Sequence, residues 1–188
     1  MIRAGLRYFS YAVGTLLLVV VIVVLLTQQF ADGPVEFLQG GSFSSGELVS
    51  EPVQDWSFAA GKNVEFELVG YGTSRTAGYI VHDGQAYMTC DLGYMWNRFE
   101  GSQRWILNLI YVFKHWHRDA EEDGRALIRY DGKLYKTEFV RVQDPALEEV
   151  LRAKLEDLAR EFVAPAKLGP PPAEEPNDIW FFRMDPRV

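Results

Sequence analysis

The stretch Ala126-Leu127-Ile128-Arg129-Tyr130-Asp131-Gly132-Lys133-Leu134-Tyr135-Lys136-Thr137 decides the fold. Two β-prone runs, Ala126 to Tyr130 and Lys133 to Val142, flank an Asp-Gly pair. Both residues of a tight hairpin turn need positive φ, and Asp-Gly is one of the few pairs that reach it at little steric cost. The arrangement occurs twice, for Thr76 to His82 and Gln85 to Cys90 flank Asp83-Gly84. Two such hairpins in one small domain predict an antiparallel sheet or barrel.

Upstream, Val64-Glu65-Phe66-Glu67-Leu68 alternates apolar and acidic residues, the pattern of a strand with one buried and one wet face. Downstream, Asp178-Ile179-Trp180-Phe181-Phe182-Arg183 reads as a buried closing strand. Two helices are predicted. In Ser102 to His117, Trp105, Leu109, Val112, Phe113 and Trp116 recur mostly at three- and four-residue intervals. In Asp144 to Phe162, Asp144 can cap, Pro145 suits the first helical position, and Leu147, Leu151, Leu155, Leu158 and Phe162 line one face. Pro165 to Pro176, with Pro170-Pro171-Pro172, is an extended connector. Residues 33–55 are Gly- and Ser-rich, yet Phe37, Leu38, Phe43, Leu48 and Val49 are too many apolar groups for a solvated tether. The segment is expected to dock on the domain as a loop and a short strand.

Ahead of all this lies a different kind of sequence. Tyr8 to Leu26 carries no charge, and Leu16 to Leu26 is an unbroken run of Leu, Val and Ile. That run alone favours bilayer insertion by about 3 to 7 kcal/mol. As a helix, the uncharged stretch spans about 28 Å, close to the hydrocarbon thickness. A cleavage site wants small residues, and a cut after Ala31 would put Gln29 at the −3 position. An uncleaved anchor over residues 1–32 is therefore expected, with one domain over residues 33–188. Arg3 and Arg7 precede the run while Asp32 and Glu36 follow it. The positive-inside tendency then puts the N-terminus in the cytoplasm of a bacterium and the domain on the outer, periplasmic face.

The chain bears a net charge of −7. Arg3, Arg7 and Asp32 are the only charges among the first 32 residues, so the domain is slightly more acidic than the whole. Such a domain is repelled by phosphate backbones, which argues against nucleic-acid binding. The one cysteine, Cys90, sits in an apolar run beside Asp91 and reads as a small packed hydrophobe.

The order of these elements carries a resemblance. It runs from Asp55-Trp56-Ser57-Phe58 through Ser74-Arg75-Thr76, His82-Asp83-Gly84 and the tryptophan-bearing helix. It continues with Asp131-Gly132-Lys133-Leu134-Tyr135 and Val142-Gln143-Asp144-Pro145, then Trp180-Phe181-Phe182-Arg183-Met184-Asp185-Pro186-Arg187. Residues 33–188 resemble the split β-barrel superfamily of pyridoxamine-phosphate-oxidase-like and deazaflavin-dependent nitroreductase-like proteins. Gly40-Gly41, Ser45-Gly46-Glu47-Leu48 and Asp55-Trp56-Ser57-Phe58 look like a membrane-anchored branch of it. The resemblance implies an α+β fold, a six-stranded antiparallel split β-barrel with two flanking helices behind one N-terminal transmembrane helix. It also implies a homodimer with a ligand in the dimer groove, often a flavin-type cofactor held by basic and hydroxyl side chains. Ser74, Arg75 and Thr76 stand where such a phosphate could lie, and Arg98, Arg104 and Trp105 could add charge and a stacking ring.

Each of these groups also has a plain structural reading. Arg75 could balance Glu65 or Glu67 across the sheet, and Arg98 or Arg104 could offset Glu100 at the surface. His115 and His117, two apart, cannot chelate one metal from a helix, and a polar helix end where the dipole favours cations suits them better. Tyr94, Trp96, Phe99, Trp105, Tyr111, Phe113 and Trp116 could stack a planar ligand or fill a core. The run Glu121-Glu122-Asp123 reads as a solvated turn. No nucleophile elbow and no Gly-rich phosphate loop occurs, and no catalytic residue is assigned. The favoured expectation is a membrane-tethered module that binds a small planar ligand or a partner. The alternative is a flavin-type oxidoreductase with its ligand near Arg75 and Trp105. The outer location, and Asp91 and Glu100 near Arg98, weigh toward binding.

Overall fold

A computed structural model of the chain describes residues 2–35, 39–94, 114–162, 169–170 and 179–188. Helix α1, Ile2–Phe30, comes first. Its Tyr8–Leu26 portion has mean hydropathy 2.8 and is not covered by the rest of the protein, so it is long and apolar enough to cross a membrane.

The domain that follows is α+β. Its strands are β1 (Glu47–Leu48), β2 (Val64–Leu68), β3 (Thr73–Ala77), β4 (Tyr79–His82), β5 (Gln85–Asp91), β6 (Arg125–Tyr130), β7 (Lys133–Arg141) and β8 (Ile179–Pro186). The described helices of the domain are α2 (Trp116–Glu122) and α3 (Pro145–Phe162). Seven strands form one antiparallel sheet in the order β3-β2-β6-β7-β8-β5-β4, curled into a half-barrel. Strand β1 adds in parallel to the start of β7, through Glu47 N–H to Gly132 O and Val49 N–H to Leu134 O, each 2.9 Å.

Both Asp-Gly turns are as expected. Asp83 and Gly84 have φ of 52° and 77°, and Asp131 and Gly132 have 50° and 72°, the left-handed values a two-residue hairpin needs. The run Thr76 to His82 is not a single strand, however. Gly78 breaks it into β3, which pairs with β2, and β4, which pairs with β5. Those two strands are the opposite ends of the sheet order, joined by one residue. Alpha-carbons two apart lie within about 7.6 Å. The curl therefore brings the two sheet edges together at Gly78.

Curling divides the apolar residues into two cores. The inner one holds Val64, Phe66, Leu68, Met88, Cys90, Ile128, Phe139, Phe182 and Met184 from the concave strand faces. At one end, the single-turn 3-10 segment Ser57–Ala59 and Trp56 close it; the Trp56 N–H donates to Gly84 O at 3.0 Å and its ring lies 5.6 Å from that of Tyr135. At the other end Trp116 of α2 packs against Phe66, Phe139 and Phe182, with centroids 4.9, 6.4 and 5.6 Å away. The outer core lies beneath α3. There Leu147, Leu151, Leu155 and Leu158 meet Ile80, Tyr87, Ile179 and Phe181. Helix α3 is capped as expected, with Asp144 Oδ1 accepting from Ala146 N–H at 3.0 Å.

Three further expectations differ. The predicted helix from Ser102 falls outside the described residues as far as Phe113; beyond it, Lys114 and His115 are not helical and α2 begins only at Trp116. Glu121 and Glu122 consequently end a helix rather than form a turn. In β2, Glu67 is buried instead of wet, because the segment after α1 folds over it: Phe43 N–H donates to Glu67 Oε2 at 2.7 Å.

That segment docks as expected, but through backbone and polar contacts, while Leu48 stays exposed. Gly40 and Ser74 exchange both backbone hydrogen bonds at 3.0 Å, which ties it to edge strand β3. Phe37 and Leu38 lie outside the described residues.

Candidate functional site

Strand β3 carries the candidate anion-binding triplet, and its pleat separates the three members. Across β2, Phe66 faces Arg75, Glu65 faces Thr76 and Glu67 faces Ser74. Directly opposed residues share a sheet face, and successive residues alternate. Arg75 therefore lies on the inner face with Phe66, while Ser74 and Thr76 lie on the outer face. They do not converge.

Ser74 is fully buried and its hydroxyl donates to Gly41 O at 2.6 Å, so it fastens the segment after α1. Thr76 is exposed. Arg75 is only partly exposed, and its Nη2 donates to the Gln39 side-chain carbonyl. Its Nε–H is buried without a hydrogen-bond partner, and among the described residues it makes no ion pair. Burial pulls its pKa below the ordinary arginine value, with the charge of Asp119 acting the other way. Facing Phe66 rather than Glu65 or Glu67, Arg75 does not play the cross-sheet balancing role.

Arg98, Arg104 and Trp105 lie outside the described residues. So do five of the seven aromatic residues in the predicted cluster. The two that are described part company: Trp116 seals the inner core, whereas Tyr94 is buried in the outer one, where its hydroxyl donates to Glu156. They form no shared stacking platform.

The reactive groups nearby are quiet. Cys90 is fully buried, and desolvation pushes its thiol pKa up to about 12. His117 is buried edge-on against Trp180 at 4.7 Å, and desolvation lowers its pKa to about 4, helped by the charge of Arg118. Both histidines sit at the N-terminal end of α2 rather than at the C-terminal helix end expected for them. Among the described residues no cluster of three His, Cys, Asp or Glu could hold a metal ion. A surface cleft of about 290 Å³ between β4 and α3 is lined by Gly61, Tyr79, Ile80, Lys154, Asp157 and Leu158. Lys154 is occupied there in donating to Val81 O at 3.2 Å.

Sequence reasoning missed a polar constellation among the described residues that centres on Arg129. Arg129 donates from Nε to Glu65 at 2.5 Å, from Nη1 to Asp32 Oδ1 at 2.9 Å and from Nη2 to Asp32 O at 2.9 Å. Its guanidinium also lies 4.3 Å from the ring centroid of Phe43. Asp32 in turn accepts from the Ser45 hydroxyl and from Ser44 N–H; these bonds, with Arg129, hold its carboxyl well below the usual carboxylate range. The available signal was Glu65, which alternation leaves on the outer face in need of a partner.

No protein-family profile, curated protein or solved structure matches this chain.

Proposed function

We propose that this protein is a membrane-tethered split β-barrel module that binds a small anionic or planar ligand without turning it over. In this reading α1 crosses a bacterial cytoplasmic membrane once, with its N-terminus inside and the barrel on the outer face, and two copies pair about a ligand groove. Reading β3 and β4 as two halves of one strand bent at Gly78 gives six antiparallel strands in a closed order, with the short β1 added in parallel beside β7, which supports the split-barrel assignment.

The observation that carries the binding function is Arg75. A largely buried guanidinium with a side-chain amide as its described partner and an unsatisfied Nε–H is costly to keep unless an anion or a carbonyl-rich ligand meets it. The same guanidinium would serve the second reading, a flavin-type oxidoreductase. Against turnover stand the commitment of Ser74 to Gly41, the outward position of Thr76, the inert Cys90 and the neutral His117.

The test is the visible spectrum of the full chain purified in detergent, with and without added flavin mononucleotide. The binding reading expects a colourless preparation, with any flavin taken up unreduced by added electron donors. A stoichiometric yellow protein that is reduced and reoxidised through cycles overturns it in favour of the oxidoreductase.

A further inference from the structure

We propose that the barrel rim around Phe58 is a membrane-docking surface seated in the headgroup layer of the same bilayer that α1 enters. This inference rests on reading α1 as an anchor and goes beyond it, because a tether alone leaves the domain free to stand away from the lipid.

The argument begins with chain length. From Leu26 at the end of the apolar run to Phe30 is four helical residues, about 6 Å. Two further residues to Asp32 add at most about 7 Å. The headgroup layer is itself about 5–8 Å deep. Asp32 thus lies at most about 5–8 Å above that layer. At Asp32 the chain is already fastened to the barrel, through Arg129 on β6. The domain has little slack with which to leave the surface.

What Arg129 brings down with it is an aromatic rim. The next residue is Tyr130, whose ring lies 5.9 Å from that of Phe58, and Phe58 stacks on Trp56 and neighbours Tyr135 at 5.7 and 5.9 Å. Phe58 is 50% exposed, and so is Leu48 at 51%, on the short strand that pairs with Leu134 just beyond the same turn. Lys62 stands 5.6 Å over the Tyr130 ring. Aromatic rings with a polar edge, apolar side chains and a long lysine are what partition to a membrane interface. The rim also carries Asp131 and Glu47 beside Lys62 and Lys133, a mixed charge suited to zwitterionic headgroups rather than to a strongly anionic surface.

A nitroxide depth measurement tests this on the full chain in phosphatidylcholine vesicles. The native thiol is buried and unreactive, so labels attach at introduced cysteines. Phe58→Cys and Leu48→Cys report the rim; Val69→Cys, at the far end of β2, and Val150→Cys, on α3, are exposed controls. The expected result is a several-fold lower collision rate with an aqueous nickel chelate at both rim positions than at both controls. Equal aqueous access at rim and controls overturns docking. Flotation of the same vesicles reads the anchor separately. Protein that floats with a wet rim defeats only the docking surface, whereas protein that stays at the bottom defeats the anchor and the docking together.

Discussion

Arg129 and Asp32 stand 97 positions apart in the chain and meet in a 2.9 Å ion pair, with the Arg129 side chain only 14% exposed. Through that pair and the companion bond to Glu65, the end of the apolar helix is coupled to the middle of the sheet. Replacing Arg129 by Met leaves two carboxylates in partly buried positions without their cation. The unfolding free energy is expected to fall by roughly 1–3 kcal/mol, and Asp32→Asn by about 1 kcal/mol or less, since that partner is more exposed. Urea denaturation in detergent measures both, and limited proteolysis should then cut first within residues 33–46. Unchanged stability in Arg129→Met would mean the clamp is a passive surface contact.

Gly40 is where the docking segment folds back on itself. A Cβ at this position would lie 1.7 Å from Gly33 O, a backbone atom that cannot swing aside. Gly40→Ala is expected to destabilise the domain by about 1–3 kcal/mol, the usual range for overpacking. It should also loosen the bridge to Ser74, read as faster amide exchange at Ser74 and Gly40. Wild-type exchange at both amides would show that the approach relaxes elsewhere.

The proposed ligand contact at Arg75 separates from its structural surroundings by a pair of measurements. Arg75→Ala is expected to weaken flavin mononucleotide or phosphate binding by roughly 2 kcal/mol or more, with little change in thermal stability. A marked fall in Tm with unaltered binding would reassign Arg75 to the packing of β3 against Gln39.

Acid sensitivity should come from His117. Its folded pKa of about 4 lies below the ordinary 6.5, so the unfolded chain takes up the proton first. Stability from this group is complete above pH 6.5 and declines as the pH falls toward 4, by up to about 3 kcal/mol. Denaturant midpoints across that window should slope downward with acid. His117→Gln should flatten the slope, and an equally steep slope in the variant would exonerate His117.

Much of the architecture was readable because it depends on neighbours in sequence. The Asp-Gly turns follow from which residues tolerate positive φ, helix α3 from its leucine spacing and cap, and α1 from an uncharged run of sufficient length. The triplet Ser74-Arg75-Thr76 was readable as a set of residue types, but its three members do not share one face. Its separation onto two faces follows from the pleat, and an alternation that was applied to Val64 to Leu68 would have divided it as well. The histidine pair failed for another reason: the helix boundary lay at Trp116, so the predicted C-terminal end was an N-terminal one.

Local chemistry, then, settled the two Asp-Gly turns, where this chain is greasy and most of its strands, since turn dihedrals, hydrophobic length and side-chain period are properties of adjacent residues. Closure belonged to the folded state. Nothing near Gly78 reveals that β3 and β4 will pair with opposite ends of one sheet, and nothing near Arg129 reveals that its carboxylate partner, Asp32, lies just past the end of the apolar helix. Both depend on contacts between distant segments, whose loop-closure entropy is offset only once the curled sheet and its two apolar cores have formed together.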